Sequence, residues 1–92
     1  MPHALVDNTD RQRFEMQLDG GMAFVAYRRT PEALHLLHAE VPAALAGQGV
    51  GSALARLTFE HARNRGIRVV PRCTFLAAYL RRHPEYADLL AP

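Results

Sequence analysis

A chain of 92 residues with 49% apolar and 22% charged side chains is sized for one thin-cored domain, 1–92, and is too apolar for a disordered segment. Its net charge of +2 comes without any long basic run, so charge alone gives no nucleic-acid footprint. All eleven cationic side chains other than His are Arg, which excludes chemistry needing a lysine of this chain, and the single Cys73 excludes an internal disulfide and a multi-cysteine metal site.

The opening MPHALVDNTD is too polar for a secretory leader, and the longest nearly apolar run, FLAAYL, is too short to span a bilayer. A cytoplasmic chain with no membrane partner is expected. Phe14, Met16 and Leu18 alternate with Arg13, Glu15 and Gln17, the period of a strand with one wet face, and Asp19-Gly20-Gly21 reads as a hairpin turn. Residues 22–28, MAFVAYR, form a more central strand before the turn at Thr30-Pro31-Glu32. A third strand runs from Leu34 to Val41 and stops at Pro42; alternation puts Leu34, Leu36, His38 and Glu40 on one face and His35, Leu37, Ala39 and Val41 on the other. Val50, Ala53, Leu54 and Leu57 then fall at helical spacing, and Arg63, Arg65 and Gly66 mark the helix end, giving a helix from about Val50 to Arg65. Ile67 to Val70 is a short apolar strand ended by Pro71, and residues 74–83 are helical until Pro84, with one further turn in EYADLLAP.

Between the third strand and the long helix stands AGQGVGSAL. Gly47, Gly49 and Gly51 let the backbone approach a ligand, and the free N–H groups of the first helical turn face an anion, most simply a phosphate. A Walker loop is excluded because it ends in Gly-Lys-Ser/Thr and this chain has no lysine. A dinucleotide fingerprint wants G-x-G-x-x-G and an acid about twenty residues on, whereas the spacing here is G-x-G-x-G and the region of Val70, Pro71 and Arg72 has none. A tight turn with close helix packing accounts for the glycines equally well from the loop alone.

The succession of antiparallel strands, GQGVGSAL opening an amphipathic helix, the strand IRVV and a last helix resembles the Gcn5-related N-acetyltransferase superfamily. The family pattern Arg/Gln-x-x-Gly-x-Gly/Ala falls on residues 46 to 51, with Gly49 and Gly51 in place and Ala46 where Arg or Gln stands. The stretches HAEVPAALAGQGVGSAL and VVPRCTFLAAYLRRHPEYADLL are similar to the small YjdJ-type acetyltransferase-like proteins, relatives of N-acetyltransferase domain-containing protein 1. The resemblance implies a compact α/β (α+β) acetyltransferase fold, mainly antiparallel with a β-α-β crossover and a C-terminal helix. It also implies acetyl-CoA as cofactor, its pyrophosphate on the glycine loop, and an amine acceptor that the sequence does not name. The cofactor-binding set is then Val41, Gly47, Gln48, Gly49, Val50, Gly51, Ser52, Cys73 and Arg82.

Acetyl transfer to an amine needs a neutral nucleophile, a thioester held beside it and a proton for the departing thiolate. Cys73 precedes a predicted helix beside Arg72, a setting that favours a thiolate able to take an acetyl group, although a lone cysteine is commonly a small buried hydrophobe. Tyr79 shares a helical face with Phe75; the family resemblance makes it the candidate proton donor. His38 and Glu40 project together from the third strand and could accept the proton of an ammonium acceptor. Arg81, Arg82 and His83 form either a solvated helix end or a contact for the adenosine 3′-phosphate. The residues leave two readings open, an acetyl-CoA-dependent N-acetyltransferase and a coenzyme-binding module without turnover, and do not decide whether a homodimer forms.

Overall fold

The computed structural model describes residues 4–92, so the first part of the polar N-terminal stretch, residues 1–3, lies outside the described residues. Five strands, β1 Val6–Asn8, β2 Arg13–Leu18, β3 Gly21–Arg29, β4 Leu34–Glu40 and β5 Val69–Pro71, make one sheet in the order β1-β2-β3-β4-β5. The first four are antiparallel, and α1, Val50–Arg65, crosses over to make β5 parallel to β4. The last helix, α2, spans Thr74–Arg82, and a 3-10 helix covers Pro84–Leu89. This is the α+β class expected, with its crossover and C-terminal helix.

The hairpin forms as the sequence predicts, with Leu18 opposite Gly21 and Asp19-Gly20 as its turn. Gly21 adopts φ 150°, and a Cβ there would stand 2.8 Å from Pro42 Cγ. The hairpin tip therefore leans on the segment that leads from β4 to the glycine loop, and only glycine lets it come so close.

One face of the sheet is the core. Phe14 and Met16 of β2, Ala23 and Val25 of β3, and Leu34 and Leu36 of β4 are fully buried against Leu54, Ala55, Phe59 and Ala62 of α1 and Leu76 of α2. Each large apolar side chain sealed there contributes about 1.5–3 kcal/mol of transfer free energy. The one fully buried polar side chain in this set, Thr58, is satisfied by donating its hydroxyl to Leu54 O at 2.8 Å.

Strict alternation fails in β4. Tyr27 pairs with Leu36, but its neighbour Ala26 pairs with His38, so Leu37 is one residue too many and forms a β-bulge. The expected face of Leu34, Leu36, His38 and Glu40 is thereby corrected. Leu34, Leu36 and Ala39 stay on the core side with Tyr27 and Val25, while His38 and Glu40 join His35 on the outer face, paired with Ala26, Phe24 and Arg28.

Two boundaries also move. The strand expected at Ile67–Val70 runs Val69–Pro71, because Ile67 N–H caps α1 by donating to Ala62 O behind the left-handed Gly66. Pro71 can end the strand since an edge position does not need its N–H. β1 carries no apolar alternation that would announce it; it is held by its pairing with β2 and by the Tyr27 hydroxyl donating to Asp7.

The tail is tied to α1 more extensively than a single turn would be. Arg63 pairs with Asp88 at 2.9 Å and donates to Glu85 O at 2.6 Å, and the Tyr86 hydroxyl donates to Glu60. The hydrogen bond from Arg63 holds the Asp88 carboxyl below the usual carboxylate range. Among the described residues no helix is long and apolar enough to cross a membrane.

Candidate functional site

The start of α1 is an open set of backbone donors. Gly49, the residue before the helix, sits at φ 77° and Gly47 at φ 81°, both left-handed, and a Cβ on either would meet nothing within 4 Å. These two glycines are required by conformation rather than by crowding. The first bond within the helix runs from Ala53 N–H to Gly49 O at 3.1 Å, no side chain caps the helix, and its first turn has no acidic residue. The N–H groups of Val50, Gly51 and Ser52 precede that bond and have no helical acceptor, and the positive end of the helix dipole lies with them. Gln48 folds back toward Ala44 O at 3.5 Å rather than extending from the loop.

Gly51 differs from its two partners. Its φ is not positive, and a Cβ there would lie 3.1 Å from Phe75 Cζ, in the first turn of α2. The beginnings of α1 and α2 are therefore in contact. Like α1, α2 has no side-chain cap and no acid in its first turn; Cys73 precedes it in extended conformation, its carbonyl accepting from Ala77 N–H at 2.9 Å.

The same residue ends the parallel ladder. β4 and β5 pair only at Leu34, His35 and Leu36, where Leu36 O accepts from both Arg72 N–H at 2.9 Å and Cys73 N–H at 3.0 Å. Beyond this point the chain after β5 turns into α2, whereas β4 continues through the bulge to Glu40 paired with β3. The two strands part beside Cys73, and the outer edge of β4 past Leu36 has no strand partner among the described residues.

The sequence-expected residues divide between this opening and elsewhere. Gly51 meets the first turn of α2, which Cys73 precedes; Gly47, Gln48, Gly49 and Ser52 are exposed, Val41 is half-buried just after β4, and the Cys73 side chain is half-buried against the core. Arg72 donates from Nε to His35 Nδ1 at 3.2 Å, so its guanidinium is engaged on the outer face. His38 and Glu40 lie on that face, 3.5 Å apart and 60% and 61% exposed, with the Phe24 ring edge-on to His38. Tyr79 does not stack with Phe75. Its ring is only 4% exposed and lies over His83 at 3.8 Å between centroids, with Phe59 at 5.9 Å. Burial pushes its hydroxyl up, with Arg56, Glu85 and Glu60 the charges that bear on it. Arg82 is exposed at the opposite end of α2 from Cys73. Among the described residues no group of three His, Cys, Asp or Glu side chains could hold a metal ion.

Two residues of the site were not singled out from the sequence. Leu37 has no local signature, because a bulge is visible only in the pairing register. Phe75 has one: an aromatic side chain in the first turn of α2, off the buried stripe of Leu76, Tyr79 and Leu80.

A family model described as GCN5-related N-acetyl-transferase matches residues 13–89, every element but β1. The solution structure of a GCN5-like candidate N-acetyltransferase from Staphylococcus aureus matches this fold with a TM-score of 0.71 at 24% sequence identity, over 95% of this chain and 86% of that one. At that identity the likeness is one of fold.

Proposed function

This chain belongs to the GCN5-related N-acetyltransferase family, and on that footing we propose that it binds acetyl-CoA and transfers the acetyl group to a primary amine, as a small YjdJ-type member spanning residues 1–92. The observation that carries the proposal is the pair of uncapped helix beginnings meeting where β4 and β5 part. The residues fit the cofactor's chemistry. A doubly charged pyrophosphate suits the free N–H groups of Val50, Gly51 and Ser52 at the start of α1, and the open loop around Gln48, with Gly47 and Gly49 left-handed, leaves it room.

Acetyl-CoA, when bound, supplies an activated thioester. The chain's own residues then have distinct tasks. His38 and Glu40, on the outer face, accept the proton of an ammonium acceptor, which can approach from the side opposite α1. Cys73 lies at the strand opening, where its thiol either takes up the acetyl group or lines the path of direct transfer. Tyr79 is the proposed donor to the leaving thiolate on the strength of the family resemblance, its ring being held by stacking on His83 and Phe59. Val41 walls the β4 side, and Arg82 is assigned the adenosine 3′-phosphate, the end of the cofactor farthest from the thioester.

Titration calorimetry with coenzyme A tests the cofactor. Binding to the wild type that disappears in Gly49→Val, with the fold retained, is the expected outcome; unchanged affinity removes the central claim. A second reading, a coenzyme-binding module without turnover, is favoured by Ala46 in place of the family's Arg or Gln. An amine panel separates the two: steady thiol release marks an enzyme, and tight binding without release marks the module.

A further inference from the structure

The third glycine of the loop calls for an explanation that the first two do not need. Gly51 lies in helical backbone without positive φ, and the three atoms nearest its absent Cβ all belong to Phe75: Cζ at 3.1 Å, Cε1 and Cε2 at 3.7 Å. The ring stands tip-first on the start of α1, and even alanine at position 51 would push against it. Phe75 is nevertheless 38% exposed, while Leu76, Tyr79 and Leu80 of the same helix are buried. Its contact with Gly51 sets the ring against the start of α1, where the free N–H groups are, and two residues along the chain from Cys73, which precedes α2.

A ligand that holds an anion at the first of these and its reactive end at the second must pass the ring. We propose that Phe75 is a binding residue of this site: the exposed flank of its ring is the apolar wall for the pantetheine arm of the cofactor, and residue 51 is glycine so that the ring can stand there. The inference rests on the acetyl-CoA reading above and adds a side chain to a loop otherwise built of backbone. The arm is largely aliphatic between its amides, and covering it against a partly wet phenyl ring removes apolar surface from water on both partners.

Nuclear magnetic resonance titration of the isotope-labelled chain tests it, with coenzyme A and, in parallel, ADP, which has the pyrophosphate but no arm. The expected result is a set of nuclear Overhauser contacts from the Phe75 ring protons to the geminal methyls of the arm. Phe75→Ala should weaken coenzyme A by about tenfold and ADP by less than about twofold, with Phe75→Leu between, since leucine restores much of the apolar surface. Gly51→Ala, which displaces the ring, should weaken coenzyme A in the same selective way. Absence of ring-to-arm contacts, or equal losses for ADP and coenzyme A, overturns the inference, because the ring then only props the loop. Where ADP binds too weakly to compare, the contacts decide. A wild type that binds no coenzyme A refutes the cofactor reading itself; a wild type that binds it, with Phe75→Ala binding as tightly, refutes this inference alone. Amide spectra of Phe75→Leu establish that the fold is intact.

Discussion

At the scale of single residues, the three glycines of one motif do different work. Gly47 and Gly49 supply left-handed backbone in open space, and Gly51 supplies room for Phe75. Gly49→Ala should therefore cost about 1–2 kcal/mol of stability from backbone strain alone, with no clash to add, which chemical denaturation measures. Gly51→Ala should cost less, because a partly exposed ring can give way. Cys73→Ala should lower kcat while leaving the dissociation constant for coenzyme A nearly unchanged, because the contact to Leu36 O is made by the backbone N–H, which alanine keeps. Equal turnover in the variant would refute a chemical role for the thiol. The spacing of the glycines and the position of Cys73 before a helix were legible in the sequence. That Gly51 answers to Phe75 was not, since the two residues are brought together only by the crossing of two helices.

At the scale of elements, the bulge at Leu37 decides which groups face an acceptor. Strict alternation through Leu37 would turn His38 and Glu40 toward the core, whereas deleting Leu37 makes Leu36 and His38 neighbours opposite Tyr27 and Ala26 and keeps both polar side chains on the outer face. Thermal melting of the deletion variant should therefore change little, since Leu37 is an exposed side chain; a large loss would mean that Leu37 is part of the strand's packing and not a spare residue. The tail is the second such element. Its 3-10 helix is fastened to α1 by Tyr86 on Glu60 and by Arg63 on Asp88 and Glu85. Phe59, which packs beside both Tyr79 and Tyr86, is the hinge of this arrangement, so Phe59→Ala should destabilise by about 3–5 kcal/mol, whereas Tyr86→Phe should lose about 1 kcal/mol from one hydrogen bond. Periodicity announced the two helices and the hairpin because each is a local repeat. It missed β1 and the bulge, whose existence depends on what lies opposite them.

At the scale of the whole molecule, two tyrosines make alkaline stability a readout of tertiary contacts. Burial first, and then the hydrogen bond to Asp7, pushes the Tyr27 hydroxyl up to about 12; burial and Glu60 push Tyr86 up to about 12 as well. A raised folded value means that the folded chain binds the proton more tightly. Both contributions are complete below the ordinary tyrosine value of 10 and are lost as pH rises toward 12. Melting temperature should fall across that window, and Tyr27→Phe and Tyr86→Phe should each flatten the fall; identical pH profiles in all three proteins would contradict the assignment. The sequence by itself determined the α+β class, the long helix behind a glycine-rich loop and the family to which the chain belongs, because local period and a short motif are written in consecutive residues. Only the tertiary structure decided that His38 and Glu40 face away from α1, that Tyr79 stacks on His83, and that the two helix beginnings touch at Gly51 and Phe75. The first and last depend on register or on a crossing between distant segments, which leave no periodic trace in the chain, while the Tyr79–His83 pair is four residues apart on one helix end and its stacking goes with the packing of Tyr79 against Phe59.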